Sequence, residues 1–410
     1  MPTVLIYRDQ LLPYSETFIP AQGGSLCRYG AVYVGTSRLP EGAEHLAGQK
    51  TLVLGDSLRN RPRDSLGDGL GNSLGDTSKI SSAWGRLWKV GYKFGGISPP
   101  QWIRLLQQQQ PTLVHAHFGS DGGMVQPLCQ RLNIPLVVTF HGYDATWDTP
   151  AWGTVRGKGD FFRALLLRKR DLALGKADRL VAVSQFIRSQ LLLRGAAADK
   201  ILVHYIGIDR QRFHPRVGQR EPMVLFVGRL VEKKGGEYLV RAMAAVQRQR
   251  PEVTLVIIGA GNLRSHLQTL ADQLPVRVQF LGQQPPDQVY HWMNRAQVFC
   301  VPSIIARSGD AEGFGMVFAE AQAMGLPVVS FATGGIPEAV LHGETGLLAP
   351  EKDTAQLTQH LLRLLADGEL RQKFALAGQA HVAANFDLQK NTRQLETIYD
   401  EVVEQYCQEK

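Results

Sequence analysis

One pattern governs what this chain can become: short, continuously apolar, β-branched runs recur between helix-like stretches, first over 3–205 and again over 223–330. The first series falls at 3–7, 31–34, 51–54, 113–116, 136–140, 179–183 and 201–205, and the second at 223–228, 254–259, 276–280, 298–301 and 327–330. A strand that is apolar at every position, not every second one, is buried on both faces, as in a parallel sheet covered by helices. Stretches at 161–174, 185–193, 237–249, 263–273 and 318–324 supply such helices. The alternation predicts an α/β protein with two doubly wound sheets in tandem, which suits a length of 410 residues.

The polar stretch 209–221, flanked by Pro215 and Pro222, reads as a linker. It divides the chain into an N-terminal domain at 1–215 and a C-terminal domain at 216–385. In the tail, 386–410, Leu395, Ile398, Tyr399 and Val402 share one helical face, so this helix is expected to pack back on the N-terminal domain. The segment DSLRNRPRDSLGDGLGNSLGD (56–76) repeats SLGD and has too little apolar content to build a core. A flexible insertion at about 56–80 is expected there.

No apolar run approaches the roughly 20 residues of a membrane span. The opening MPTVLIYRDQ lacks the basic and apolar regions of a secretory signal, and Cys27, Cys129, Cys300 and Cys407 show no CxxC spacing. A cytoplasmic protein without a zinc site or a disulfide framework is expected. The net charge of +8 is lopsided: 1–215 carries 26 Lys and Arg against 16 Asp and Glu, and 216–410 carries 19 against 21. An anionic partner for the front half follows, whether a membrane surface, a phosphorylated substrate or nucleic acid. The charge concentrates in WGRLWKVGYKF (84–94) and FFRALLLRKR (161–170). Each reads either as an interfacial membrane helix or as a domain helix with a solvated basic face. No nucleic-acid-reading module accompanies the charge, so nucleic acid is not expected.

Two segments of the back half carry candidate chemistry. In VGRLVEKKGGEYLV (227–240), Arg229, Lys233 and Lys234 lie between a strand and a helix. They form either a phosphate site, where free helix amides add to the side-chain charge, or a solvated loop closing a βα turn. In AEGFGMVFAEAQAMGLPVVSFATGGIPEAV (311–340), Glu312 and Glu320 stand eight residues apart across a loop-to-helix junction. Both can face one cleft at the carboxyl ends of the strands. The loop carboxylate then suits a hydroxyl or a developing positive charge, and the helix carboxylate suits a pair of ribose hydroxyls. The alternative is two solvated glutamates favoured by the helix dipole. A third segment, VIIGAGNLR, has Gly259 and Gly261 but places Arg264 where a dinucleotide fingerprint needs its third glycine, so a nicotinamide dehydrogenase is not expected.

Taken together these residues resemble the retaining glycosyltransferases of family four, which have the GT-B fold of two Rossmann-like domains facing each other across a cleft. EGFGMVFAE is similar to the family's E-x(7)-E pattern, and Gly228, Arg229, Leu230, Lys234 and Gly235 match G-R-L-x-x-x-K-G. Gly325, 327–329, Gly334, Gly335 and Glu338 match a G-x-P-V-V strand followed by G-G-x-x-E, and HGETGLL (342–348) completes the series. HAHFG (115–119) and FHGYD (140–144) resemble the family's first-domain strand ends. YIGID (205–209) resembles its N-G-I-D segment, with Ile206 in place of Asn. YSETFIPAQ (14–22) stands where many relatives have a glycine pair. Together with SGDAEGFG it resembles the branch that assembles exopolysaccharide and colanic-acid-type glycans.

The resemblance implies transfer of a hexose, with retention of configuration, from a UDP- or GDP-sugar to a glycan or polyprenyl-linked acceptor. It implies exopolysaccharide or cell-surface glycan biosynthesis; with the cysteine usage and the membrane reading of the basic helices, a cytoplasmic protein peripheral on the inner face of the membrane is expected. Arg229 and Lys234 are expected to neutralise the departing diphosphate, Glu320 to hold the ribose hydroxyls and Glu312 to contact the transferred sugar. Gly228, Phe314, Gly315, Met316 and Val317 are expected to line the donor site. His141 is the candidate at the reacting centre, with Glu16, Thr17, His117 and Asp144 on the acceptor side. A same-face displacement, in which the leaving phosphate oxygen takes the acceptor proton, needs no enzymic nucleophile. With no D-x-D motif, no obligatory metal or cofactor is expected. The competing readings are a non-catalytic carbohydrate-binding or scaffold protein and a sugar-nucleotide epimerase; the presence of both cations and both glutamates favours the transferase.

Overall fold

The computed structural model describes residues 1–13, 16–39, 46–56, 91–93, 95–148, 157–216 and 218–410. Apart from Asp56 and residues 91–93, the predicted insertion and the basic segment 84–94 lie outside the described residues, as do Tyr14 and Ser15.

The N-terminal half contributes β1 (Thr3–Tyr7), β2 (Gln10–Leu11), β3 (Gly30–Gly35), β4 (Ser37–Arg38), β5 (Thr51–Val53), β6 (Pro111–His117), β7 (Leu136–Phe140), β8 (Arg179–Ala182) and β9 (Ile201–Val203). Seven of these form a parallel sheet in the order β5-β3-β1-β6-β7-β8-β9, while β2 and β4 pair separately. The C-terminal half contributes β10 (Glu221–Val227), β11 (Thr254–Ile258), β12 (Val278–Gly282), β13 (Ala296–Cys300), β14 (Val328–Phe331) and β15 (Gly346–Ala349). These form a second parallel sheet in the order β12-β11-β10-β13-β14-β15. The α/β, GT-B architecture expected from the sequence is the one observed. Glu221 and Pro222, read as linker, open β10 instead; pairing of β10 with β11 begins only at Met223, so the missing proline N–H breaks no ladder bond there.

Side chains on a strand alternate between faces, and the N-terminal sheet buries both. Val4, Ile6, Tyr33, Leu113 and Val137 pack with Leu395, Tyr399 and Val402 of the C-terminal helix Leu388–Gln408. Leu5, Tyr7, Val114, Ala116, Val138 and Phe140 belong to the opposite core, with Met124 and Leu128 of the helix Gly119–Leu132 and Ala173 of the helix Gly157–Lys176. Glu396 of the C-terminal helix is fully buried and accepts the backbone N–H groups of Cys27, Arg28 and Tyr29. Tyr399 of the same helix hydrogen-bonds His115 Nδ1 at 2.6 Å.

The described parts of the two basic segments place some of their cations inward. In 161–170, Lys169 and Arg170 are buried, and Arg170 donates to the carbonyl of Trp147. Within 161–170 the exposed side chains are apolar: Phe161, Phe162 and Leu166 are 46, 53 and 40 % exposed, while Asp160, Asp171 and Lys176 are exposed to either side. At 91–93, Tyr92 is buried and donates to Tyr7 Oη, and Lys93 pairs with Asp9 at 2.5 Å. Arg170 and Lys93 face inward because a carbonyl and a buried carboxylate take their donors.

Candidate active site

Each large sheet reverses its strand order once, at β1/β6 and at β10/β13, and ligands of open α/β sheets bind outside the carboxyl ends of strands at such points. The loops leaving those ends approach one another. A Cβ on Gly313 would lie 2.0 Å from the carbonyl oxygen of His141, so only glycine lets the 311–315 loop rest on the loop after β7. The candidate residues line the cleft on both sides of that contact.

On the C-terminal side, the turn after β10 carries Arg229, Lys233 and Lys234. Lys234 Nζ is 2.6 Å from Glu312 Oε2, and Lys233 Nζ is 3.0 Å from Asp310 Oδ1. Burial alone would raise the Glu312 carboxyl, but the neighbouring Lys234 and Lys233 charges overturn that and hold it at about 2. Glu312 is therefore an anion throughout the physiological range. Arg229 is exposed and has no hydrogen-bond or ion-pair partner among the described residues; its charge bears on both Glu16 and Glu312, one from each half. Gly228 ends the strand, donating its N–H to Ile258.

Gly315 caps the helix Met316–Ala323, so the Met316 and Val317 amides lie in its first turn, where no carbonyl of the helix can accept them. Glu320, one turn on, is raised to about 7 by burial, against the opposing charges of Arg212 and Lys234. Phe314 is 2 % exposed and packs on Tyr205 and Phe386, with centroids 5.5 and 4.8 Å away. Its ring faces the crossing between the halves, leaving only its backbone to the donor side.

On the N-terminal side, His117 ends β6 and His141 follows β7. His117 Nδ1 and His141 Nε2 are 3.0 Å apart in stacked rings, and the second nitrogen of each is buried without a partner. Burial, followed by the neighbouring positive groups, drives both well below the ordinary imidazole range, so the pair is neutral near pH 7. Phe18 and Phe118 pack on His141 at 4.9 and 4.7 Å. Thr17 precedes the helix Phe18–Gly24 without capping it through its side chain. Glu16 takes both Nε and Nη2 of Arg8, at 2.9 and 2.8 Å, while Arg8 Nη1 reaches Asp121 at 2.7 Å.

Asp144 corrects an expectation. Its carboxylate accepts the N–H groups of Gly119, His141 and Gly142 at 2.9, 3.1 and 2.9 Å and is 1 % exposed, so it shapes the two strand-end loops and presents nothing to an acceptor. Ile206, at the position of the family's Asn, is likewise buried in the core and offers no polar contact. Sequence reasoning missed Arg8 and Asp121, which fix Glu16. The signal was present for Arg8, a charge set directly after a buried strand of a doubly wound sheet. Among the described residues no three His, Cys, Asp or Glu side chains converge to hold a metal ion.

Comparison with known proteins agrees with the fold. Residues 207–381 match the family described as Glycosyl transferases group 1, and residues 70–212 match Glycosyltransferase Family 4. The chain is 34 % identical over 293 residues to the amylovoran biosynthesis glycosyltransferase AmsK of Erwinia amylovora, covering 69 % of each protein. It is 33 % identical over 295 residues to a GDP-mannose-dependent alpha-(1-6)-phosphatidylinositol monomannoside mannosyltransferase of Mycolicibacterium smegmatis, covering 67 % of this chain and 73 % of that one. The fold is similar to that of Anabaena Alr3699/HepE, solved with UDP and glucose, with a TM-score of 0.70, 18 % identity and coverage of 98 % and 100 %.

Proposed function

Because this chain belongs to the Glycosyl transferases group 1 family, we propose that it moves a hexose from a UDP- or GDP-sugar to a glycan or lipid-linked acceptor, with retention of configuration, in assembly of a cell-surface polysaccharide. The observation that carries this reading is the Lys234–Glu312 pair beside Arg229, which has no side-chain partner among the described residues, at the switch point of the C-terminal sheet and opposite His141.

The chemistry follows from the charges. Departure of a nucleoside diphosphate builds negative charge on a phosphate oxygen, which Arg229 and Lys234 are placed to stabilise as fixed cations. The sugar left behind carries oxocarbenium character, and the Glu312 carboxylate, anionic and hydrogen-bonded to Lys234, supplies a negative charge beside it. Glu320 accepts the ribose hydroxyls, and the Met316 and Val317 amides are free to bind the phosphate or the sugar. His141 is neutral, so it acts as a hydrogen-bonding and packing wall at the reacting centre, not as a cation. The departing phosphate oxygen takes the acceptor proton, which requires no nucleophile from the protein.

The acceptor side is furnished by His117 and by Glu16, the latter held in place by Arg8. Phe161, Phe162 and Leu166 suit insertion into the headgroup region of a membrane that carries a lipid-linked acceptor. No helix among the described residues is long and apolar enough to cross a membrane. The test is titration calorimetry with UDP-glucose, UDP-galactose, UDP-N-acetylglucosamine and GDP-mannose. Binding of one member, lost in Arg229→Ala, is expected; no heat from any of them rejects the donor reading.

A further inference from the structure

Two hydrogen-bonded contacts join the halves of the molecule directly behind Glu312. Ser184, two residues past β8 and fully buried, is the N-cap of the helix Gln185–Leu193. Its hydroxyl accepts the Ile187 N–H at 3.0 Å and donates to the Gly313 carbonyl at 2.6 Å. Glu338, in the short helix Ile336–Ala339 of the other half, returns the contact. Its Oε2 accepts the Gln185 N–H at 2.7 Å and the Tyr205 hydroxyl at 2.8 Å, and its Oε1 accepts the Phe186 N–H at 2.9 Å. A carboxylate from one half thus caps the first turn of a helix in the other, where both the free amides and the dipole favour it.

The two successive peptides that flank Gly313 are held from opposite directions. Gly335 donates its N–H to the Glu312 carbonyl at 2.9 Å from the same half, and Ser184 holds the Gly313 carbonyl from the opposite half. Meanwhile the Glu312 side chain reaches Lys234. We infer that Ser184 and Glu338 are positioning residues, which fix the backbone at Gly313 against the His141–Gly142 loop and thereby set where the Glu312 carboxylate meets the sugar. The inference rests on the proposed contact of Glu312 with the transferred sugar. A displacement of about 1 Å at such a group is enough to cost roughly 100-fold in rate.

The test separates capping from gripping. Ser184→Asp keeps an acceptor for the Ile187 N–H but sets an anion against the Gly313 carbonyl, whereas Ser184→Thr keeps the hydroxyl. With UDP-glucose or GDP-mannose, whichever the wild-type protein turns over, Ser184→Asp is expected to lower kcat by about 100-fold. Affinity for the corresponding nucleoside diphosphate stays within about twofold, and Ser184→Thr stays within about threefold of wild-type kcat. Glu338→Gln, which loses one acceptor of three hydrogen bonds, shows the same division with a loss of about tenfold. Amide hydrogen exchange over 312–318 in the unliganded protein should quicken by about tenfold or more in Ser184→Asp and not in Ser184→Thr. Unaltered exchange, or a Ser184→Asp loss carried wholly by nucleotide affinity, overturns the positioning role. Failure of the wild-type protein to bind any nucleotide sugar would instead reject the donor reading, because the exchange experiment needs no turnover.

Discussion

Lys234 Nζ lies 2.6 Å from Glu312 Oε2, with the two side chains only 11 and 13 % exposed. Removing one partner of such a pair leaves the other charge shielded from water and uncompensated, while keeping both holds a cation and an anion a few ångströms apart in one cleft. That arrangement matches a reaction that separates a leaving anion from an electron-poor sugar.

Lys234→Met and Glu312→Gln are each expected to lower kcat/KM by about 100- to 1,000-fold, the scale of losing one preorganised charge at a transition state. The double variant should lose much less than the product of the two, since the residues act as a unit. Steady-state kinetics on the four proteins decide it, and strict multiplicativity would show the two groups to be independent. Because Glu312 is held at about 2, no inflexion from it should appear in the pH–rate profile above about pH 4.

Glu320 gives the opposite pH behaviour. Burial raises it to about 7, so in the empty cleft a large share is protonated at neutral pH. Two ribose hydroxyls donate to the carboxylate and not to the acid, so donor affinity should climb as pH rises through 7. For a single group of that pKa the ionised fraction grows about tenfold between pH 6 and 8. Calorimetry with a UDP- or GDP-sugar, whose diester phosphates do not titrate in this window, should show that gain in wild type and a flat profile in Glu320→Gln. A flat wild-type profile would remove Glu320 from ribose binding.

The sheets were legible because parallel strands buried on both faces leave continuous apolar runs, as in TVLIY and LVVTF. The helix Gly119–Leu132 was not, since Gly119, Gly122, Gly123 and Pro127 argue against a helix locally. Tertiary contact decides it: a Cβ on Gly123 would sit 1.8 Å from the Lys169 carbonyl oxygen, so the glycine exists to let two helices touch. That Arg229, Lys234, Glu312 and Glu320 come together was readable from spacing, because they hang on one βα turn and one helix start. Asp144 misled because a carboxylate after a strand end looks the same whether it faces a ligand or gathers backbone amides. The Ser184–Gly313 bond joins residues 129 positions apart, and nothing local announces it.

The His117–His141 pair should stay neutral across the range in which free imidazoles titrate. Burial, the first cause of the lowered values, favours the uncharged rings at both positions. Ring C2-proton shifts, assigned with His117→Phe and His141→Asn, are expected to remain constant between pH 6 and 8. A midpoint within that window for either residue would mean that the rings are open to water. His117→Phe should also unlock His141 and lower kcat while thermal stability changes little.

The membrane contact is expected to depend on apolar side chains. Phe161→Ser, Phe162→Ser and Leu166→Ser together should abolish sedimentation with vesicles containing phosphatidylglycerol. Fully burying side chains of this kind is worth about 1.5–3 kcal/mol each, so even partial insertion gives a clear signal. Neutralising the buried Lys169 or Arg170 would instead damage the fold, as Arg170 satisfies the Trp147 carbonyl. Undiminished sedimentation of the triple variant would remove this helix as the membrane contact.

Glu396 ties the end of the chain to its beginning, with three backbone amides of residues 27–29 on one buried carboxylate oxygen. Arg28 adds an ionic contact at 3.6 Å. Glu396→Ala would leave those amides without an acceptor under a helix that also covers Val4, Ile6 and Leu113. The Tyr29 bond is buried and those of Cys27 and Arg28 part-buried; an unsatisfied buried group costs about 1–3 kcal/mol, so with the lost Arg28 contact a loss of about 3 kcal/mol is expected in urea unfolding. Tyr399→Phe, which strips only the hydroxyl from His115 Nδ1, should cost about 1–2 kcal/mol by the same reasoning. The order of the two losses is the discriminating result. If Glu396→Ala unfolds no more easily than Tyr399→Phe, the carboxylate anchor is worth no more than a single hydrogen bond and does not hold the end of the chain to its beginning.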